Sequence, residues 1–242
     1  MRTFSVCSVV LLLVSCHRES PAPGPSSMVE APRAAAPAPS ASATALTPRL
    51  TETPAEKLGT APAGFGLGVG EPAPDASLTD VTGKTVRLAE LYAARPTLVL
   101  FYRGGWCPFC NLQIHEFSAS AQQFEQRGIG IVAISVDKPS EEAKTQARHG
   151  VPFPMLSDSK LVAHQAYHVV HVTADAERKA FASHGLDLGA YSGEAHGSYA
   201  VPAIFLVDRT KTVRFVHVDE DYKTRPSAKQ MLEVVDRVLR SK

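Results

Sequence analysis

The 242-residue chain has almost no net charge, few cysteines and no hydrophobic run long enough to cross a membrane. With 25 basic and 24 acidic residues its formal charge is +1, which indicates neither nucleic acid nor an acidic surface as a partner. A membrane-spanning helix needs about 20 apolar residues, and the apolar run at 6–14 is shorter than that. A zinc finger is not indicated either, because no second C-x-x-C and no His pair at finger spacing follows the single C-x-x-C.

Only two of the four cysteines lie beyond residue 16, and these are Cys107 and Cys110. They follow an apolar run at 97–102 that is rich in strand-forming residues, and a long helical pattern begins at about Pro108. Proline suits the first position of a helix, where its missing N–H would have had no partner. The sequence therefore places Cys107 at or near the N-cap and Cys110 one turn into the helix, on roughly the same face.

This position favours redox chemistry at the cysteine pair. Unpaired N–H groups and the helix dipole stabilise a thiolate, so we expect a depressed pKa for a cysteine at the helix start. A second cysteine three residues away can close a disulfide onto the first and release a bound partner. A C-x-x-C beside a strand–helix unit is typical of thioredoxin-like redox motifs, and Trp106 completes the W-C-x-x-C that such proteins carry.

Three other interpretations of the pair stay open at this point. A structural disulfide across so short a loop would remove little entropy from the unfolded chain. A zinc half-site with His115 as the third ligand lacks further ligands at suitable spacing. Two inert core thiols are the third possibility. The sequence favours redox function and gives no reason to expect a metal.

The first 15 residues resemble the signal peptide of a bacterial lipoprotein. Arg2 gives a short basic start, the apolar run at 6–14 suits the hydrophobic region of a signal peptide, and LVSC at 13–16 resembles a lipobox. The resemblance implies cleavage before Cys16, acylation of Cys16 and stable anchoring by several acyl chains. An ordinary secretory signal cut nearby is the alternative. His17, in place of the aspartate that usually marks inner-membrane retention, favours the outer membrane and a periplasmic domain.

Composition divides the rest of the chain into a linker and one domain. Residues 16–63 are dominated by proline, alanine, serine and threonine, so we expect a disordered or polyproline-like tether that holds the domain clear of the membrane. Residues 64–242 have the length expected of a single domain. Outside the cytoplasm we expect its cysteine pair to be oxidised unless a dedicated reductant recycles it.

The hydrophobic pattern of this domain alternates between strands and helices. Helices are predicted at 88–93, 108–126, 140–149, 161–167, 174–184 and 227–240, and strands at 76–78, 85–88, 97–102, 129–136, 153–156, 204–207 and 213–218. This order is typical of an α/β fold with a mixed sheet and helices on both faces. The spacing of His164, His168 and His171 would put them on one helix face, where we expect solvent-facing side chains and not a metal site.

Four motifs together resemble a known family. They are FYRGGWCPFCNLQI at 101–114, VPFPMLSD at 151–158, YAVPAIFLVD at 199–208 and VHVDEDYKTR at 216–225. Over residues 69–240 the chain looks like the peroxiredoxin-like branch of the alkyl hydroperoxide reductase/thiol-specific antioxidant (AhpC/TSA) family. The resemblance implies a thioredoxin-like three-layer sandwich with a mixed central sheet, antioxidant redox chemistry without a cofactor, and a thiol reductant as partner.

The third motif contains a proline that matters for the mechanism. In thioredoxin-like proteins a proline before the last strands is cis and packs against the active-site cysteines, and Val201-Pro202 matches it. The resemblance implies a cis bond here, with the Val201 backbone turned outward to hydrogen-bond an extended substrate. A trans proline that opens a strand is the alternative.

The first motif departs from the peroxiredoxin pattern P-x-x-x-T-x-x-C, which ends on the peroxidatic cysteine. The match puts Cys110 at the peroxidatic position, Cys107 where threonine belongs and Arg103 where proline belongs. Because the threonine hydroxyl helps to position a peroxide, its replacement favours a thioredoxin-type pair. The arginine that assists catalysis in peroxidases has no clear match. Arg103 either favours a thiolate through its charge or is a solvated charge at the strand end.

Three functions follow from these observations. The first is a lipid-anchored thiol–disulfide oxidoreductase of the cell envelope, acting on protein thiols or disulfides, with Cys107 as nucleophile and Cys110 resolving the mixed disulfide. The alternative is a thiol peroxidase, in which a hydroperoxide oxidises Cys110 to a sulfenic acid and Cys107 resolves it. A non-catalytic binding module is the third. The residues expected to shape the substrate site are Trp106, Pro108, Val201, Pro202 and Arg103.

Overall fold

A seven-stranded mixed sheet with helices on both faces forms the centre of the computed structural model, which describes residues 48–240. These residues fall within one compact unit, Leu46–Lys242. The predicted signal peptide, Cys16 and most of the predicted linker lie outside the described residues. Between residues 48 and 240 no helix is both long enough and apolar enough to span a bilayer.

The bounds of the elements follow the predicted order with additions. The strands are β1 Thr51–Glu52, β2 Ser77–Asp80, β3 Thr85–Arg87, β4 Thr97–Phe101, β5 Gly130–Ser135, β6 Met155–Ser157, β7 Val170–Val172, β8 Ser198–Ala200, β9 Ala203–Val207, β10 Val213–Val218 and β11 Thr224–Arg225. The helices are α1 Leu88–Ala94, α2 Pro108–Glu125, α3 Pro139–His149, α4 Val162–Ala166, α5 Asp175–Ser183, α6 Leu188–Ser192 and α7 Ala228–Arg240.

The strand β4 lies at the centre of the sheet, whose order is β10–β9–β4–β5–β6–β2–β3. It runs parallel to β5, with Phe101 opposite Ile134, and antiparallel to β9. Its residues are all buried, and their side chains alternate between the two faces of the sheet. Leu98 and Leu100 pack in one core with α2 and α7, whereas Val99 and Phe101 pack in a second core with α1 and α4. The predicted three-layer α/β fold is therefore confirmed.

The helix α2 is held against the sheet by its apolar face. Ile114, Phe117 and Phe124 recur at helical spacing and are buried, as the sequence predicts. The rings of Phe117 and Phe124 stack with centroids 5.7 Å apart. Because β4 and α2 are both fixed by burial, the short connection between them is held at the carboxyl end of the central strand.

The segment just before residue 63 belongs to the domain, which corrects the predicted end of the linker. Strand β1 pairs in parallel with β11, and Thr53 after it is buried. Farther on, Leu58 packs against the core, and the carbonyl of Thr60 accepts the Val218 N–H at 2.9 Å. Composition could not reveal this because the contacts join positions about 160 to 170 residues apart, and a two-residue strand carries no hydrophobic period.

The prediction for the three histidines is wrong in two respects, since they do not share a helix face and His164 is not solvent-facing, whereas His168 is exposed as expected. Helix α4 ends at Ala166, so His168 and His171 lie outside it. His164 is fully buried, and its Nδ1 lies 2.7 Å from Oδ2 of Asp158. The helical spacing misled because the chain leaves the helix at Tyr167 and turns through a residue with positive φ, His168, into β7.

Candidate active site

A tight turn leads from β4 into α2 and presents Cys107 at the helix start. Cys107 is the N-cap residue, with φ −87° and ψ 114°, and Pro108 occupies the first helical position. The Cys107 N–H donates to the carbonyl of Gly104 at 3.1 Å, which closes the turn. Gly104 has a φ of +144°, a conformation that residues with a side chain rarely adopt. The predicted position of the pair at a strand–helix junction is confirmed.

The thiols of Cys107 and Cys110 are free, buried and hydrogen-bonded to each other. The hydrogen bond from the Cys110 thiol, aided by the charge of Arg103, lowers the pKa of Cys107 to about 6 although burial opposes this. Burial, together with the hydrogen bond to Cys107 and the charge there, raises the pKa of Cys110. Near neutral pH the two thiols therefore share one negative charge, which the neighbouring groups favour on Cys107 over Cys110.

Arg103 is buried beside the thiols and is not the solvated strand-end charge that was one of its two interpretations. Its Nη1 lies 4.0 Å from Cys107 Sγ, and its Nη2 donates to the Tyr199 hydroxyl at 3.0 Å. Aromatic rings surround the guanidinium, with its central carbon 4.3 Å from the ring of Tyr222 and 4.5 Å from that of Tyr199. These contacts hold the positive charge against the Cys107 sulfur.

A second buried arginine, Arg225, faces the other sulfur. Its Nη2 lies 3.5 Å from Cys110 Sγ, while its Nε and Nη1 are buried without hydrogen-bond partners. The pairing of β11 with β1, in which Arg225 stands opposite Glu52, fixes the backbone that carries this side chain. Its charge opposes the rise in the pKa of Cys110 that burial causes.

A cavity of about 230 Å³ leads to Arg103 from the surface. Its lining includes Tyr199, Val201, Pro202 and Tyr222. Arg103 forms part of the wall and also contacts Cys107, so this cavity lies one side chain away from the buried thiols, neither of which lines it. A larger cavity of about 530 Å³ lies at the opposite end of β4, beside Thr97, and is remote from the thiol pair.

The remaining predicted site residues, Trp106 and Pro108, lie next to the pair. The half-buried ring of Trp106 packs against Phe181 and Tyr199, with centroids 5.6 and 5.5 Å away, and lies over Arg103. Pro108 is exposed and begins the helix. Trp106 thus covers the cation next to the thiols, whereas Pro108 acts on the site only through the backbone.

The predicted cis bond at Val201-Pro202 is wrong, since the described residues contain no cis peptide. The N–H of Val201 donates to the carbonyl of Val169 at 2.7 Å, so it does not point outward to a substrate. Pro202 stands between β8 and β9, which matches the alternative of a trans proline opening a strand. The pairing of β7 with β8 extends up to Ala200, and this explains why the Val201 backbone faces inward.

The thiol pair lies within a region that matches a model of a known protein family. Residues 69–216 match the model of the AhpC/TSA family. The chain belongs to the AhpC/TSA family. The matched region includes Arg103, Cys107 and Cys110 but ends before Arg225, so the second guanidinium comes from outside it.

Named peroxiredoxins are similar to this AhpC/TSA protein over part of its length. The chloroplastic peroxiredoxin Q of Populus jackii is 34% identical over 89 residues, which are 37% of this chain and 41% of that relative. Peroxiredoxin Bcp of Bacillus subtilis is 28% identical over 101 residues, which are 42% of this chain and 64% of that relative. The matched segments thus span less than two thirds of the relatives' own length.

A solved peroxiredoxin structure shares the fold. Reduced Prx3 of Vibrio vulnificus in complex with hydrogen peroxide is 17% identical, with a TM-score of 0.58 over 70% of this chain and 99% of that chain. This likeness shows the thioredoxin-like fold that the sequence motifs imply for the AhpC/TSA protein.

The candidate site residue that sequence reasoning missed is Arg225. It follows Cys110 by 115 positions and lies on a two-residue strand, so neither spacing nor periodicity points to it. Its one signal was its place at the end of the motif 216–225. The structure places Arg103 beside Cys107 and Arg225 beside Cys110. The Val201 N–H is not part of the site, because it is hydrogen-bonded to the carbonyl of Val169.

Proposed function

We propose that the domain is a thiol peroxidase that reduces hydroperoxides with the Cys107–Cys110 pair. The observation that carries the proposal is a buried guanidinium at each sulfur, Arg103 at 4.0 Å from Cys107 Sγ and Arg225 at 3.5 Å from Cys110 Sγ. Positive charge here favours the attacking thiolate and stabilises the oxyanion that leaves. Membership of the AhpC/TSA family and similarity to named peroxiredoxins support this chemistry.

The first step of the proposed reaction uses the hydrogen bond between the two thiols. The Cys110 proton moves to the Cys107 thiolate, and the Cys110 sulfur attacks the terminal oxygen of the hydroperoxide. The sulfur–oxygen bond forms as the oxygen–oxygen bond breaks, and the leaving alkoxide or hydroxide takes up the proton from Cys107. Cys107, whose pKa is about 6, serves as the base, and Cys110 becomes a sulfenic acid.

The second step closes the disulfide. The Cys107 thiolate attacks the sulfur of the Cys110 sulfenic acid, the sulfur–sulfur bond forms, and hydroxide leaves and is protonated to water. Two electrons from an external thiol reductant then reopen the disulfide and restore both thiols. In this scheme Cys107 takes the place of the threonine expected in the peroxiredoxin pattern and supplies both a base and a resolving thiol.

Single substitutions of the two cysteines test this assignment. Reduced Cys107→Ser, which lacks the base, should consume one equivalent of hydroperoxide more slowly than the wild type and stop at a sulfenic acid, which a dimedone-type reagent labels. Reduced Cys110→Ser should consume none. The double variant is the matched control for the chain's other cysteines. Consumption by Cys110→Ser alone would reverse the roles, and consumption by neither single variant would remove the peroxidase proposal.

Thiol–disulfide exchange is a second candidate function, and the lowered pKa of Cys107 favours it. In this reaction the Cys107 thiolate attacks a partner's disulfide, and Cys110 then attacks the mixed disulfide and releases the partner. Under exchange, Cys110→Ser should accumulate mixed disulfides and Cys107→Ser should be inactive. Trapped partners with no peroxide consumption would favour exchange over peroxidase activity.

We further infer from the sequence that the protein is a lipoprotein of the bacterial cell envelope, with its domain in the periplasm. The support is the signal-like segment and the lipobox-like LVSC at 13–16. Labelling of the expressed protein with a radioactive fatty acid should succeed in the wild type and fail in Cys16→Ser. Labelling that persists in Cys16→Ser would contradict acylation at this residue.

A further inference from the structure

Two buried carboxyl groups lie beneath the active-site turn and take no part in the proposed reaction. Asp137 follows β5, and Glu142 lies in the first turn of α3. Glu142 accepts hydrogen bonds from the Tyr102 hydroxyl and, at 2.6 Å, from the Ser135 hydroxyl. Both oxygens of Glu142 are therefore occupied, whereas Asp137 has one oxygen to spare.

Asp137 holds the active-site turn through its Oδ2, which accepts the Gly105 N–H at 2.7 Å. Its Oδ1 is buried without a hydrogen-bond partner, and so is Nε1 of Trp106. The two atoms border the same small space, since a Cβ on Gly104 would lie 2.4 Å from Trp106 Nε1 and 2.7 Å from Asp137 Oδ1. An unpaired oxygen and an unpaired indole N–H thus flank one glycine.

The protonation state of Asp137 decides what its Oδ1 offers to the indole N–H. Burial, with a smaller contribution from the charge of Glu141, raises the pKa of Asp137 to about 7. When Oδ1 carries the proton its O–H is a donor and its oxygen is only a weak acceptor for the indole N–H, which is also a donor. When the carboxyl group ionises, Oδ1 becomes an acceptor, and the indole N–H of Trp106 is a suitable donor.

We propose that Asp137 is a positioning residue whose ionised carboxylate accepts the N–H of Gly105 and the indole N–H of Trp106 together and thereby fixes the active-site turn. Trp106 also packs over Arg103, with the guanidinium carbon 4.8 Å from the ring centroid. The ionisation of Asp137 therefore fixes the position of the Trp106 ring, which covers Arg103, the counter-ion of Cys107. This inference concerns the turn, and it holds whether the substrate is a hydroperoxide or a disulfide.

Other ionisable groups lie near both partners and must be separated from Asp137 in a test. His171 reaches the aromatic cluster through Tyr199, with ring centroids 4.7 Å apart. Cys107, whose pKa is about 6, follows Trp106 in the chain and could quench its fluorescence. The charged or titratable groups that face Asp137 are Lys138, Glu141, Glu142 and Tyr102. Those near Trp106 are Arg103, Cys107, Tyr199 and, through Tyr199, His171.

The fluorescence of Trp106, the only tryptophan of the 242 residues, gives the first test. The full-length protein carries Cys107→Ser and Cys110→Ser, so that no active-site thiolate contributes. Its fluorescence is titrated from about pH 5 to about pH 9. We expect one transition with a midpoint near 7, lost when Asp137→Asn is added and kept when His171→Gln is added instead. A transition that survives Asp137→Asn, or one that disappears with His171→Gln, would overturn the proposal.

A direct titration of the protein without substitution at Asp137 removes the risk that Asp137→Asn disturbs the turn. Carbon-13 NMR of the aspartate carboxyl groups should show one that titrates near 7. The single indole N–H resonance should move with the same midpoint, because a stronger acceptor shifts it downfield. If every aspartate titrates near its ordinary value of about 4, or if the indole resonance stays fixed through the transition, Asp137 is only a structural acceptor for the turn.

Discussion

Among single residues, Arg225 gives the clearest support for the proposed chemistry. Taking an arginine out of water costs several kcal/mol, and two of its nitrogen atoms have no hydrogen-bond partner to offset that cost. Burial lowers the pKa of Arg225, while the neighbouring charges of Cys110 and Cys107 raise it. Such a cation is an inefficient way to stabilise a core, and its close partner is a sulfur.

Replacing Arg225 by methionine should slow peroxide reduction about tenfold. The loss of one positive charge beside Cys110 should raise the pKa of its thiol, and a loss of thiolate stabilisation of about 1.4 kcal/mol corresponds to a factor of about ten. The stability of the reduced domain should rise or stay unchanged, because an uncharged chain of similar length has little desolvation cost. Stopped-flow peroxide consumption and urea unfolding measure the two effects. Arg214→Met, which removes a cation paired with Asp208, is the matched control. Loss of stability at an unchanged rate would make Arg225 structural.

The ionisation of Cys107 gives a second prediction for a single residue. Alkylation of Cys107 by iodoacetamide should rise with pH to half its maximum near pH 6, because only the thiolate reacts. In Cys110→Ala the midpoint should move upward, since the hydrogen bond from the Cys110 thiol is the largest cause of the low pKa. The rate in Cys107→Ser gives the background of other thiols. An unchanged midpoint in Cys110→Ala would place the cause elsewhere, at Arg103 or at the helix start.

At the level of elements, the parts with a strong hydrophobic period could be predicted from the sequence. The predicted bounds of the buried strand β4 and of the helix α2 differ from the observed bounds by at most one residue at each end. These two elements were enough to place the cysteines. The strands β1, β7, β8 and β11 have two or three residues each, too few for a period to be recognised. Their pairing is decided by distant partners, as with Thr51 and Thr224.

In the candidate site, the residues that are close in sequence could be predicted, whereas those brought in by distant contacts could not. The residues around the turn, Arg103 to Cys110, could be found because they are adjacent in sequence and their chemistry follows from one strand–helix junction. The position of Arg225 is decided by the pairing of β11, and the direction of the Val201 backbone by its hydrogen bond to Val169. Both follow from tertiary contacts, which the local sequence does not show. A resemblance to thioredoxin-like proteins gave the wrong isomer at Pro202 because it ignored that local pairing.

Shortening the chain tests whether β1 supports the site. A chain that starts at residue 64, the boundary that composition suggests, lacks the partner of β11 and the packing of Leu58 against the core. It should melt several degrees lower than a chain that starts at residue 48, given roughly 2–4 °C per kcal/mol at this size. It should also reduce peroxide more slowly, because Arg225 loses its backbone support. Equal melting temperatures and rates would show that β1 lies on the domain without supporting it.

For the whole domain, the sheet order explains how distant residues meet. The parallel strands β4 and β5 end at the same edge, which brings the turn with Gly105 against Asp137. The chain returns to this edge through β8 and β9, and there Tyr199 contacts Arg103. The edge thus collects the thiols, their cations and buried acids in one place, at a cost in stability that the two hydrophobic cores offset.

One such cost should appear as a pH dependence of stability. With a pKa of about 7, folded Asp137 keeps a proton that the unfolded chain releases above about pH 4. Stability is therefore lost progressively as pH rises between these values. Asp137→Asn removes that loss. The free energy of unfolding of this variant, relative to that of the wild type, should therefore rise by a few kcal/mol between about pH 4 and about pH 8, at about 1.4 kcal/mol per pKa unit.

Urea unfolding at both pH values measures this difference. Asp80→Asn is the control: hydrogen bonds from the Thr82 hydroxyl and the Lys84 N–H lower the pKa of Asp80, so the stability of this variant relative to the wild type should fall and not grow over the same range. A difference between Asp137→Asn and the wild type that is the same at both pH values would mean that Asp137 titrates at an ordinary pKa.

The most direct measurement is the stoichiometry of a single turnover. Reduced full-length protein is mixed with excess hydroperoxide in the absence of reductant, and peroxide, free thiols and protein mass are followed together. The account predicts that each chain consumes one equivalent, loses the thiols of Cys107 and Cys110 and becomes lighter by two hydrogen atoms. Unchanged peroxide with both thiols still free would contradict it.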